Sequence, residues 1–356
     1  MKKLMKGNEA FAEAAMQAGC RCYFGYPITP QNEVPEYISW RMRDLGGVFK
    51  QAESEVASVN MVYGSAAAGV RSMTSSSGLG IALMQEGITN LCSTEIPCVF
   101  LNVSRGGPGL GTIQCSQADY NQMTRGGGNG DYYLPTYAPA TMQEACDLIQ
   151  KAFDTADKYR NPVGVMVDAT IGNMMESVDI VENKAPDPSI PDKKEWCLQG
   201  GQRPDGSFAR VKGLFNVPAE SEEFVEYLGR KYDKIEKNEV MVDITDCDDA
   251  DVVIVAYGTT ARIAKQTIKF GKEAGIKIGM VRPQTVWPFP YAETKKACSH
   301  AKGVLCAEMA IGQLLQDVKI ALEGTKPITQ YHRLSGVMPS AKDMFKLCEK
   351  IAKEGK

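Results

Sequence analysis

The chain of 356 residues is longer than one typical domain and sets 40 basic against 43 acidic side chains, for a net charge of −3. That predicts two units with a core each and excludes the basic footprint of a nucleic-acid or anionic-membrane binder. Its eleven cysteines form no C-x-x-C pair and it has two histidines, His300 and His332, so a zinc ribbon, a ferredoxin-type cluster, a disulfide scaffold and a Ser-His-Asp hydrolase are not expected, and no residue is put forward as a metal ligand.

Met1 to Glu9 is basic but lacks the apolar core of a signal peptide, and nowhere do about 18 apolar residues run together. A cytoplasmic protein with no membrane contact is therefore expected, its cysteines packing as small hydrophobes. Asn8 to Ala18 reads as a helix with Asn8 as N-cap. Cys22 to Phe24 is a strand, and it leads into the stretch around which the chain is organised, Gly25-Tyr26-Pro27-Ile28-Thr29-Pro30-Gln31. Pro27 and Pro30 hold Tyr26 and Thr29 extended, so Thr29 presents its hydroxyl from a stiff strand-to-helix corner. In open α/β sheets such corners are where ligands bind.

A helix from Asn32 to Leu45 follows, with Val34, Ile38 and Leu45 facing the core and Gly46-Gly47 ending it. Strand and helix then alternate through Val48-Phe49, Glu55 to Ala68, Arg71 to Thr74, Ile81 to Leu91 and Pro97 to Val103, the pattern of a parallel sheet covered on both faces. Three further corners lie in this series, at Gln51 to Glu55, Ser75 to Gly78 and Asn102 to Pro108. Two glycine-heavy stretches, Gly106 to Gly111 and Gly126 to Asp131, fit no phosphate-binding motif and read as mobile loops near a site. Thr141 to Tyr159 is an amphipathic helix and Pro162 to Asp168 a closing strand.

From Ser177 to Glu239 prolines and charges dominate, as in Pro186-Asp187-Pro188, and the segment reads as a connector partly ordered by Trp196 and Phe208. A second strand and helix series begins at Asp251. It contains the buried strand Val252 to Val255, a turn at Gly258, a helix from Thr260 to Ala274 and a strand from Ile276 to Val281. Gly303 to Glu308, a helix from Gly312 to Leu322, Ile328 to Tyr331 and a helix from Ser340 to Ile351 complete it.

The Y-P-I-T-P corner, Glu53-Ser54-Glu55, Ser76-Ser77-Gly78 and the R-G-G-P-G-L-G stretch from Arg105, in this order, resemble the α subunit of the thiamine-diphosphate-dependent 2-oxoacid:ferredoxin oxidoreductases. The runs VVIVAYGTTAR, KIGMVRPQTVWPFP and AEMAIGQLLQDV resemble the transketolase C-terminal-like domain of the same family, so the likeness covers almost the whole chain. It implies an α/β fold of two doubly wound parallel-sheet domains: a pyrimidine-binding domain over 1–176, a connector over 177–240 and the transketolase C-terminal-like domain over 241–356, the last in a supporting role.

The resemblance also implies chemistry. Thiamine diphosphate needs a carboxylic acid at its aminopyrimidine ring nitrogen, and the family motif puts that acid at Glu55, leaving Glu53 as a charge favoured at a helix start. Arg105 and Thr29 would hold the carboxylate of a 2-oxo acid, a task that suits a planar guanidinium; read alone, Arg105 is a loop ion pair. Tyr26, Pro27, Ile28, Ser77 and Gly78 would line the cofactor. No G-D-G…N loop occurs, so a β subunit is expected to supply the diphosphate and Mg2+ half of the site. Iron–sulfur subunits, ferredoxin and coenzyme A are the other implied partners.

Departures are Ser76-Ser77-Gly78-Leu79 where T-S-G-P is common, Asn129 where G-H-G-D is usual, and Asn32 after the corner where Ser or Thr is common. The motifs look most like the branched-chain, 3-methyl-2-oxobutanoate type, while the 2-oxoglutarate type shares most of them. The β subunit of a lipoate-linked 2-oxoacid dehydrogenase and a non-catalytic scaffold subunit are the remaining alternatives.

Overall fold

In the computed structural model, which describes residues 2–181, 189–200, 202, 203 and 205–354, the first part of the chain runs β1 (Lys3–Lys6), α1 (Gly7–Gln17), β2 (Cys22–Gly25), α2 (Glu33–Asp44), β3 (Val48–Gln51), α3 (Glu55–Ala67), β4 (Ser72–Ser76), α4 (Leu79–Leu83), α5 (Gln85–Ser93), β5 (Val99–Gly106), β6 (Thr112–Cys115), α6 (Tyr120–Thr124), β7 (Thr136–Tyr137), α7 (Met142–Tyr159), β8 (Val163–Asp168), α8 (Ala169–Asn173) and β9 (Met175–Val178). The second part runs α9 (Pro218–Asn238), β10 (Val242–Thr245), β11 (Val252–Val255), α10 (Gly258–Ala274), β12 (Ile278–Pro283), β13 (Thr285–Trp287), α11 (Tyr291–Ala297), β14 (Gly303–Glu308), α12 (Gln313–Leu322), β15 (Ile328–His332) and α13 (Ala341–Glu354).

Strands that read as near-continuous apolar runs become central. Val252, Val253, Ile254 and Val255 are fully buried because β11 lies between parallel β12 and β14, with helices on both faces. The second sheet has the order β10-β12-β11-β14-β15, and the first runs β13-β7-β8-β5-β4-β2-β3. The α/β class is as the sequence implies. The sheets are not wholly parallel, however: β1 pairs with β9, β10 with β12, β13 with β7 and β6 with β5, all antiparallel. These additions are two to four residues long, too short to carry a readable alternation. Through β13 the second part of the chain completes the first sheet.

Three local readings change. Asn8 is not the N-cap of α1: Lys6 takes that place, and Asn8 is fully buried with Nδ2 donating to Pro30 O at 2.8 Å and to Glu33 Oε2 at 2.9 Å. A tertiary demand for a donor beneath the Tyr26–Gln31 corner outweighs the local capping preference. In α2, Met42 joins Val34 and Ile38 in the core while Leu45 is only half-buried. The connector contains the 21-residue helix α9, whose Leu228, Tyr232 and Ile235 pack with Trp287; its many charges masked this stripe. Trp196 is buried as expected, but the Phe208 side chain is 57% exposed, and Phe208 takes part only through its backbone, in a bridge to Gln202. Pro186-Asp187-Pro188 lies outside the described residues.

All eleven cysteines are free and buried, and burial pushes the Cys20 thiol up to about 12, as befits packing groups. Both histidines are exposed. No helix among the described residues is long and apolar enough to cross a membrane.

Glu308, at the end of β14, is buried and accepts from Leu314 N at 3.0 Å and Leu315 N at 3.3 Å. Burial raises its pKa from 4.5 to about 7, against the pull of those backbone donors. A carboxyl raised in the folded state gives stability that is full below the unfolded value and is lost as pH climbs through the folded one. Between pH 4.5 and 7, thermal melts of Glu308→Gln should therefore gain on the wild type. A melting difference that stays constant across that window would mean that the carboxyl is unperturbed.

Candidate active site

The N-cap Ser54 accepts from Ala57 N at 3.1 Å, a bond worth about 1 kcal/mol to a helix start. It makes Glu55 the first residue of α3. Two residues of separation then send Glu53 to solvent and Glu55 to the interior, where it is 6% exposed. Gly80 makes room for it: a Cβ there would stand 2.6 Å from Glu55 Oε1 and collide with Ser76 Oγ. Among the described residues the Glu55 carboxylate has no hydrogen-bond partner. Along β4 and just after it, Thr74 Oγ1, Ser76 Oγ and Ser77 Oγ are buried without partners. Buried polar atoms are normally satisfied; the unpaired Ser76 hydroxyl and the Glu55 carboxylate flank the same Gly80 Cα and suit a polar heteroaromatic ring.

The neighbouring corner is held from beneath. Tyr23 OH bonds Ser75 Oγ at 2.7 Å and Ser75 Oγ donates to the fully buried Gln31 Oε1 at 2.5 Å, while Asn8 holds Pro30 O. Gln31 Nε2 also donates to Tyr26 O at 3.5 Å. Tyr26 and Pro27 are exposed at the tip, and Ile28 and Thr29 are half-buried. Arg105, 8% exposed, donates from Nη1 to Thr29 O at 2.9 Å. Gly78, at φ +46°, brings its Cα within reach of the same side chain, since a Cβ would sit 3.8 Å from Arg105 Cγ and Nε. Thr29, Gly78 and Arg105 thus meet, and the loop Ser76–Gly80 links them to Glu55.

Arg105 does not sit on a loop, as its glycine neighbours suggest. It lies within β5, which turns back at Gly107–Gly111 into β6; the Gly106–Thr112 pairing comes so close that a Cβ on Gly111 would collide with Gly106 O. The other glycine stretch folds against α5, with Thr89 Oγ1 donating to Asn129 O at 2.6 Å and Tyr132 OH accepting from Gly127 N and Gly128 N. It does not line the cavity described next.

Beside Arg105 lies a cavity of about 410 Å³. Two of its components went unrecognised in the sequence. Asp119 is buried and accepts from Asn102 Nδ2 at 3.1 Å; burial raises its pKa, opposed by Asn102, the Gly78 N–H and the charge on Arg105. It stands at the N-cap position of α6 but makes no capping bond with its side chain. The second component is Met309–Gln313, contributed by the second sheet.

Comparison with known proteins gives these features a context. Residues 13–243 match the family described as pyruvate flavodoxin/ferredoxin oxidoreductase, thiamine-diphosphate-binding, and residues 250–344 match pyruvate:ferredoxin oxidoreductase core domain II. The ketoisovalerate oxidoreductase subunit VorB of Methanothermobacter thermautotrophicus is 42% identical over 98% of either chain. The chain belongs to the 2-oxoacid:ferredoxin oxidoreductases. Within that family the 2-oxoglutarate synthase subunit KorA of Methanocaldococcus jannaschii is more distant, at 35% identity over 94% of this chain and 95% of its own. A solved structure, the 2-oxoglutarate:ferredoxin oxidoreductase from Magnetococcus marinus with 2-oxoglutarate, coenzyme A and succinyl-CoA bound, matches at a TM-score of 0.87 with 24% identity. The match covers 99% of this chain and 65% of that one, and at that identity it establishes the fold. The chain is thus an oxidoreductase subunit, and the span matched by the thiamine-diphosphate-binding family runs from residue 13 to 243.

Proposed function

We propose that this chain is the α subunit of a branched-chain 2-oxoacid:ferredoxin oxidoreductase. With partner subunits it would convert 3-methyl-2-oxobutanoate and coenzyme A to the acyl-CoA, carbon dioxide and reduced ferredoxin in the cytoplasm. The observation that carries this reading is the placement of Arg105: a buried guanidinium turned onto Thr29 O beside a cavity in which, among the described residues, the other charged group is a carboxylate, Asp119. One substrate carboxylate has a cation to hold it, and a second would have none. That favours a monocarboxylic oxo acid over 2-oxoglutarate, in line with the higher identity to VorB than to KorA.

Thiamine diphosphate, when bound, supplies the carbon nucleophile that attacks the oxo group. Glu55 would hold a proton at the aminopyrimidine ring nitrogen, and Ser77, Gly78 and the Tyr26-Pro27-Ile28 tip would line the ring. Arg105 and Thr29 fix the substrate carboxylate, and Asp119 steadies Gly78 and the Arg105 side chain. The diphosphate and Mg2+ fall to a β subunit and the iron–sulfur clusters to further subunits. In this division residues 1–176 form the pyrimidine side, 177–240 the connector and 241–356 the transketolase C-terminal-like part.

The test is a panel of 2-oxo acids on the reconstituted complex with a viologen acceptor. The highest kcat/KM should fall to 3-methyl-2-oxobutanoate, and a clear preference for 2-oxoglutarate would refute the assignment. By itself the chain should bind thiamine diphosphate weakly or not at all, and tight magnesium-dependent binding in calorimetry would remove the need for a β subunit at the site.

A further inference from the structure

No residue of the second sheet takes part in the chemistry assigned to Glu55, Thr29 and Arg105, although its loop Met309–Gln313, between β14 and α12, closes one side of the cavity beside Arg105. That loop is fixed to the first unit at both ends. Met309 N donates to Gln117 Oε1 at 2.9 Å, and Met309 O accepts from Gln117 N at 3.1 Å and Ser116 Oγ at 3.3 Å. Gln117 is itself held, its Oε1 accepting from Thr260 Oγ1 at 3.0 Å and its Nε2 donating to Tyr257 O at 2.8 Å. At the other end Gln313 Nε2 donates to Ala118 O and Gln313 Oε1 accepts from Asn121 N, both at 2.7 Å.

Between the clamps, Gly312 turns the chain at φ +77°. Ala310 is 1% exposed and borders the cavity, whereas Ile311 is 78% exposed at its edge, a large aliphatic side chain left out of every core. Leu79 and Ala82 of α4 line the same cavity. So the cavity offers an arginine, aliphatic walls contributed by both units, and no second cation among the described residues that line it.

We propose that Ala310 and Ile311 determine substrate choice: they form the wall against which the side chain of the oxo acid packs, Ala310 setting its depth and Ile311 its polarity. The second unit then selects the substrate as well as supporting the first. This rests on Arg105 holding the substrate carboxylate, because that contact directs the side chain into the cavity. Hydrophobic pockets separate substrates that differ by one methylene roughly 10- to 200-fold, whereas an unpaired second carboxylate is rejected because its hydration is not replaced.

The experiment compares wild type, Ala310→Leu, Ile311→Lys and Arg105→Lys in the reconstituted complex, by kcat/KM for pyruvate, 3-methyl-2-oxobutanoate and 2-oxoglutarate. Ala310→Leu fills the compartment and should lower the ratio of 3-methyl-2-oxobutanoate to pyruvate about tenfold. Ile311→Lys offers a partly exposed cation and should raise the ratio of 2-oxoglutarate to 3-methyl-2-oxobutanoate about fivefold. In the chain by itself the Ile311 side chain is in solvent, so this variant should fold as wild type; gel filtration of the complex checks its assembly, and it decides the matter if Ala310→Leu does not fold. Unchanged ratios in the variants that assemble overturn the proposal while leaving the reading of Arg105 intact, provided Arg105→Lys impairs all three substrates. A harmless Arg105→Lys overturns both.

Discussion

Glu55→Gln should lower turnover of the assembled complex about a hundredfold or more with every oxo acid, the usual magnitude for losing a positioned acid. Glutamine keeps the size of the side chain and one acceptor, so it fits the space that Gly80 leaves beside Ser76; what it lacks is a proton to give to the ring nitrogen. Glu53, two residues away, cannot take over, since it points to solvent. Stability should not suffer, because the carboxylate replaced is buried and has no partner in the chain to lose. Hydrogen exchange at the reactive carbon of the bound cofactor needs no substrate and isolates this role. It should be slow in Glu55→Gln, and exchange at the wild-type rate would put the acid elsewhere.

For Arg105→Lys the expected loss is confined to kcat/KM for the oxo acid, with cofactor hydrogen exchange near normal. Lysine keeps the charge but not the planar fork: its three N–H groups diverge from one tetrahedral nitrogen, so with one on Thr29 O the other two cannot lie parallel along a carboxylate. A hydrogen bond to a charged group contributes about 1.5–3 kcal/mol, so the loss should be roughly tenfold to a hundredfold. Slow exchange in Arg105→Lys with normal exchange in Glu55→Gln would interchange the two assignments.

Much of this molecule is local in origin and therefore readable in one dimension. Apolar runs such as Val252–Val255 can only be satisfied between parallel neighbours. Pro27 and Pro30 stiffen their corner wherever the rest of the chain goes, and Ser54 starts α3 through a bond to Ala57, three residues on. The motifs around Thr29, Glu55, Gly78 and Arg105 are recognisable by their likeness to a family, and the parallel pairing of β2, β3, β4 and β5 brings them to one sheet end.

What only the tertiary structure decided are the contacts made across long separations. Asn8 looks like a helix cap until Pro30 needs a donor. Arg105 looks like a loop residue until β6 pairs back onto β5, and β13 has too few residues to show a pattern until β7 offers an edge. Asp119, Ala310 and Ile311 reach one cavity from separate units through the Gln117 and Gln313 clamps. A hydrogen bond between residues nearly two hundred positions apart leaves no periodic trace in sequence, because each partner is chosen for the other and not for its neighbours in the chain.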